Sequence, residues 1–76
     1  MLAAALEHLV KGIVDNPDDV RIDESASSRG DVLEVHVAED DRGRVIGRGG
    51  RTAKAIRTVV AALAGDRRIR VDVADD

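Results

Sequence analysis

From residue 2 to residue 14, apolar side chains return every three or four positions, at Leu2, Leu6, Leu9, Val10 and Ile13, with alanines between them. That period gathers them on one face of a helix, predicted over Leu2 to Val14. Asp15-Asn16-Pro17 stops it, because proline cannot continue the hydrogen-bond ladder and constrains the residue before it. The period then changes to two. Val20 and Ile22 alternate with Arg21 and Asp23, predicting a short strand followed by a polar connection over Glu24 to Gly30. Asp31 to Ala38 places Leu33, Val35 and Val37 on one face and Glu34 and His36 on the other, a half-buried strand. Glu39-Asp40-Asp41 then reads as the N-cap of a short helix near Asp41 to Val45, where carboxylates meet orphan N–H groups. Arg51 to Ala64 restores the helical period through Ala53, Ile56, Val60 and Leu63, with Val59 widening the apolar face and Gly65 as the stop. Ile69, Val71 and Val73 finally alternate with Arg68, Arg70 and Asp72 in a third strand, before an acidic end, Ala74-Asp75-Asp76, expected to fray.

The predicted order is α-β-β-α-α-β, a two-layer α+β fold in which helices cover one face of a three-stranded sheet. Glu34, His36, Arg68 and Arg70 imply that the other face stays polar. Seventy-six residues allow one domain, 1–76, with a small core. Cysteine is absent, which excludes disulfides and thiolate metal sites and is compatible with a reducing cytoplasm. Phenylalanine, tyrosine and tryptophan are absent too, which removes the stacking platforms of aromatic RNA-binding sheets and barrels. No basic start leads into a long apolar run, and no eighteen-residue apolar stretch occurs. Neither secretion nor a membrane span is expected, and the expected location is the cytoplasm.

Val45-Ile46-Gly47-Arg48-Gly49-Gly50-Arg51-Thr52 interrupts the two helical patterns with three glycines in four residues. Glycine loses the most backbone freedom on folding, so such density implies a tight turn or a close approach to the backbone. One reading is a plain helix-to-helix turn with Gly49 left-handed. The other is an anion site, with free N–H groups at a helix N-terminus set among arginines. Charge favours the second. Arg42, Arg44, Arg48, Arg51, Lys54 and Arg57 hold six of the twelve basic residues within sixteen acid-free positions, in a chain whose net charge is −3. A polyanion would be drawn to that edge and repelled elsewhere. A second basic group, Arg67, Arg68 and Arg70, has no assigned side. Enzyme chemistry finds no constellation: Asp40 and Asp41 lack a second acidic cluster, and no nucleophile and base converge. His8 and His36 read as surface histidines, with no metal and no cofactor implied.

The glycine motif lacks the length and the Lys-Ser/Thr ending of a P-loop, and it does not follow a strand as a dinucleotide fingerprint does. Ile46-Gly47-Arg48-Gly49-Gly50 between helices resembles the GxxG loop of the KH RNA-binding domain. With a helix and strand at the N-terminal end, the order is similar to the type II form. Chain length, Asn16-Pro17 after a leucine-rich helix, and the run Val45 to Arg57 resemble the KhpA-like family of small bacterial KH proteins. The resemblance implies a cytoplasmic protein that binds single-stranded RNA, forms a homodimer and can pair with a KhpB/Jag-like KH protein, in roles touching small RNAs, envelope growth and cell division. It assigns Gly47, Arg48, Gly49 and Gly50 to backbone contact with about four nucleotides. Ile46, Ala53 and Ile56 would form an apolar platform edged by Val35 and Val37, some of them simply core. Arg44, Arg51, Lys54 and Arg57 would be phosphate or base contacts, the last three able to share one stripe.

Overall fold

A computed structural model describes residues 2–75. Helix α1 spans Leu2–Lys11, strands β1 and β2 span Arg21–Ser27 and Gly30–His36, helices α2 and α3 span Glu39–Ile46 and Arg51–Ala64, and β3 spans Ile69–Val73. Single 3₁₀ turns lie at Pro17–Asp19 and Arg48–Gly50. The sheet order is β1-β2-β3, with β1 antiparallel and β3 parallel to β2. This is the predicted α+β order.

The register sends Leu33, Val35 and Val71 inward, where they meet Leu2, Leu6, Val10 and Val14 from the first helix and its turn, Val45 of α2, and Ile56, Val60 and Ala64 of α3. Ile56 and Val60 lie on the helical stripe read from the sequence, but Leu63, its predicted end, is exposed, and Ala64 takes the buried place one residue on. α1 is shorter than predicted. Gly12 donates its N–H to His8 at 3.2 Å and ends the helix, and the following turn still delivers Val14 to the core.

β1 is longer than predicted. Glu24 to Ser27 pairs with β2 residues Leu33 to Gly30, and only Ser28 and Arg29 form the turn. An edge strand can be polar on both sides beyond the reach of α1, which is why alternation failed to reveal it. The acidic end holds its place at Ala74, whose N–H donates to the Val35 carbonyl at 2.8 Å. Asp76, part of the predicted fraying, lies outside the described residues, as does Met1.

Asp41 does not cap α2. The helix begins two residues earlier, after Ala38, with no side-chain cap. Asp41 is instead buried, 2% exposed, and reaches back across the fold. Its Oδ1 accepts the Asp15 N–H at 3.1 Å, and its Oδ2 accepts the Asn16 N–H and the Asn16 side-chain amide, both at 3.0 Å. Burial pushes the carboxyl's pKa up, but the Asn16 amide, the two backbone donors and the nearby charge of Arg44 outweigh it and hold the group below the usual carboxylate range. The turn after α1 is thereby fastened to α2.

Candidate nucleic-acid interface

The glycine loop forms where α2 hands the chain to α3. The Gly47 N–H closes α2 on the Gly43 carbonyl at 2.8 Å, and the Gly50 N–H donates to the Gly47 carbonyl at 3.1 Å. Positive φ recurs at Gly47 (78°), Gly49 (64°) and Gly50 (76°), a conformation that L side chains seldom adopt. The surroundings differ. A β-carbon on Gly47 would run into the side chain and amide of Thr52, so loop and helix touch there. At Gly49 and Gly50 a β-carbon would meet nothing within 4 Å. The backbone is bare on that side, and Gly50, the N-cap, offers no side chain to the first-turn N–H groups of α3. The tight turn therefore leaves the first-turn N–H groups of α3 uncapped, with the positive end of a fourteen-residue helix behind them.

Beside the loop, the flank of α3 and the end of β3 bound an open groove of about 520 Å³, lined by Ile46, Gly50, Ala53, Arg57, Glu34 and the segment Asp72 to Asp75. Ile46 stands 38% exposed at the end of α2 and gives the groove an apolar patch. Arg57 donates its Nε–H to the Val71 carbonyl at 2.9 Å, which lays the guanidinium along the free edge of β3. The groove is electrically divided. Phosphate is favoured on the loop side, whereas Glu34 and Asp75 would repel it; they and Asp72, whose charge Arg70 offsets, can accept hydrogen bonds from base amino and imino groups.

The structure brings Ile46, Gly50 and Arg57 to this groove, with Gly47, Arg48 and Gly49 in the adjoining loop. Arg51 and Lys54 are exposed on α3 but do not line it. Arg44 turns away, pairing with Asp15 at 2.9 Å beside the Asp41 contact. Ile56, 7% exposed, and Val35, 1% exposed, belong to the core rather than to a platform. The predicted edge at Val35 and Val37 is corrected to the end of β3. The reason is strand order: β3, not β2, is the edge strand packed beside α2 and α3. Glu34, Asp72 and Asp75 escaped notice for the same reason, since no local signal says which outer-face carboxylates adjoin the groove.

On the outer sheet face Asp23, Glu34 and Asp72 stand directly opposite one another across the three strands. His36 Nε2 lies 3.0 Å from Asp23 and 2.9 Å from Glu34, a more engaged histidine than a plain surface position implies. These three are the described residues grouped closely enough to hold a metal ion. Arg21 donates to both Asp23 oxygens at 3.1 and 3.3 Å and competes for that place. The Arg21 hydrogen bonds hold the Asp23 carboxyl below its usual range, against an opposing cost of burial, with the arginine charge and His36 adding to the lowering.

The sequence pattern of the KhpA/KhpB KH domain matches residues 3–74. Among curated relatives, the RNA-binding protein KhpA of Leifsonia xyli is 68% identical over 76 residues, covering all of both chains. That of Mycobacterium tuberculosis H37Rv is 68% identical over 71 residues, covering 93% of this chain and 88% of the relative. That of Streptomyces coelicolor is 64% identical over 75 residues, covering 99% and 94%. With the α-β-β-α-α-β order and a glycine loop joining α2 to α3, this chain belongs to the KhpA/KhpB family of KH domains.

Proposed function

We propose that this protein is a non-catalytic, single-domain RNA-binding protein of the cytoplasm. In this reading the loop Gly47 to Gly50 and its groove hold about four nucleotides of a single strand. The observation that carries it is the bare, positive-φ backbone of Gly49 and Gly50, uncapped at the N-terminus of α3 and flanked by the exposed Arg48 and Arg51. Phosphate is held by backbone N–H groups and guanidinium charge, and the bases turn toward Ile46 and the carboxylates of β3. Such binding, without stacking aromatics, suits an RNA chaperone or post-transcriptional regulator that engages strands briefly.

The test replaces Arg48 and Gly49 together by Asp. RNA affinity is expected to fall at least tenfold while the circular dichroism spectrum keeps its helical signal. A folded double variant with unchanged affinity removes the loop from the mechanism.

A second reading has its own observation. Val59 and Leu63, 44% and 58% exposed, lie one turn apart on α3, an apolar strip on a chain of net charge −3. In that reading the domain chiefly assembles complexes, as a homodimer or by pairing with a KhpB/Jag-like KH protein, and adds little RNA affinity itself. The two readings join if a dimer presents two weak loops to one RNA, because linked sites gain avidity. Titration of the protein with short RNAs, below and above its association concentration, separates them.

A further inference from the structure

We propose that the end of the molecule opposite the glycine loop, formed by Arg29, Arg67, Arg68 and Arg70, is a second phosphate-binding surface for the same RNA strand, a reading that rests on the groove function above. Four observations converge on it.

The first is charge. Ten of the twelve basic residues fall into two groups, six at positions 42–57 and four at this end, leaving only Lys11 and Arg21 elsewhere. The basic residues outside the loop region thus concentrate in one place although the surface as a whole is acidic. The second is shape. These arginines line an open cleft of about 440 Å³ between the β1–β2 turn and the start of β3.

The third is what the guanidinium groups touch. Arg67 is paired with Asp31 at 2.9 Å and Arg70 with Asp72 at 2.9 Å. Among the described residues, the side chains of Arg29 and Arg68 meet no carboxylate, so two cations are left for an outside anion. Their backbones are fixed: the Arg29 N–H donates to Ser27 Oγ at 3.2 Å, and the Arg68 carbonyl accepts the Asp31 N–H at 2.8 Å. Cations near the end of α3 also offset its dipole, which accounts for Arg67 and Arg68 but not for Arg29, delivered from the other side of the cleft by the hairpin.

The fourth is placement. β3 starts in this cleft at Ile69 and ends in the groove at Val73. The two surfaces are therefore about 13 Å apart along the strand, four steps at about 3.3 Å per residue. Asp72, on the way, has its charge offset by Arg70. Four nucleotides held at the loop do not use the far end. A strand of about twelve, about 40 Å even at the 3.4 Å spacing of stacked bases, exceeds the 33 Å long axis of the molecule and can engage both.

The experiment measures binding of mixed-sequence RNAs of about four and about twelve nucleotides, at several potassium chloride concentrations, to the protein and to its R29A/R68A variant. The longer RNA is expected to bind the unaltered protein more tightly than the about ninefold gain from its greater number of four-nucleotide registers, with a steeper salt dependence. R29A/R68A is expected to bind the longer RNA about tenfold more weakly, to reduce its log–log salt slope by about 1.4, and to leave tetranucleotide affinity within about twofold. Equal slopes for the two RNAs on the unaltered protein, or a folded variant indistinguishable from it on the longer RNA, overturn the second surface. If the double variant loses its fold, Arg29→Ala alone, in the exposed turn, supplies the comparison, with about a threefold loss expected. Tetranucleotide binding that disappears in R48D/G49D but persists in R29A/R68A supports the groove independently. Dependence of long-RNA binding on Arg29 and Arg68 without any tetranucleotide binding sinks the groove and keeps the arginine surface, and absence of binding at both lengths overturns both.

Discussion

At the scale of single residues, Asp41 and Gly47 explain the most. The Asp41 carboxylate satisfies three donors from Asp15 and Asn16 in a place almost closed to water. Asp41→Ala is expected to leave the two N–H groups and the Asn16 amide without their acceptor, lowering the thermal midpoint by roughly 5–10 °C in a calorimetric scan. Because the folded state holds this carboxyl below its ordinary pKa, the unfolded chain takes up the proton first. The stabilisation is present above about pH 4 and is lost as acidification carries the folded group through its own lower pKa. Urea midpoints from pH 7 to pH 2 are expected to fall less steeply for Asp41→Asn than for the unaltered protein; parallel curves would show that the carboxylate carries no such linkage. Gly47→Ala forces a β-carbon into Thr52 at an unfavourable φ, with an expected cost of about 1–3 kcal/mol in urea unfolding. Gly47 was legible as a loop glycine from its motif, but its contact with Thr52 depends on how closely α3 returns to the loop. Asp41 looked like a cap because acids before a helix commonly serve that role, and only the fold shows a partner twenty-six positions away.

Among the elements, α3 has three tasks. Its buried stripe of Ala53, Ile56, Val60 and Ala64 completes the core, its N-terminus backs the glycine loop, and Val59 and Leu63 remain on its exposed flank. If that flank joins two copies, V59D/L63D is expected to stay folded and sediment as an 8.1 kDa monomer at concentrations where the unaltered protein is dimeric. A variant that still dimerises assigns the interface to another face. The α3 period was plain in the sequence, but it placed Val59 and Leu63 on the apolar face with Ile56 and Val60, and the structure leaves both outside the core. β1 was only half legible, because an edge strand needs little apolar alternation when the backbone ladder to β2 and partial cover from α1 suffice.

For the whole molecule, the decisive feature is the separation of charge. Positive groups collect at the loop and at the arginine end, while a row of carboxylates crosses the outer sheet face between Asp23 and Asp72. A duplex presents continuous phosphate to a surface and would meet those acids, whereas a single strand can pass its phosphates from one basic region to the other. Single-stranded RNA is therefore expected to outcompete duplex RNA of equal length by at least about tenfold in a fluorescence anisotropy assay at moderate salt. Preference for the duplex would contradict the groove as the principal contact. Within the described residues no helix is long and apolar enough to cross a membrane.

What the sequence determined by itself was local. Periods of 3.6 and 2 select helix or strand over a few residues, proline and glycine end them, and glycine alone tolerates the torsions of the loop. The order of elements, the loop between two helices and the apolar stripe of α3 follow from those constraints. What only the tertiary structure decided was pairing between distant segments. Placing β3 at the sheet edge made Asp72 to Asp75 a wall of the groove and left Val35 in the core. It also brought Arg29 across from Arg68 and turned Arg44 toward Asp15. Those juxtapositions arise from strand register and from burial summed over the whole chain, which no window of neighbouring residues contains.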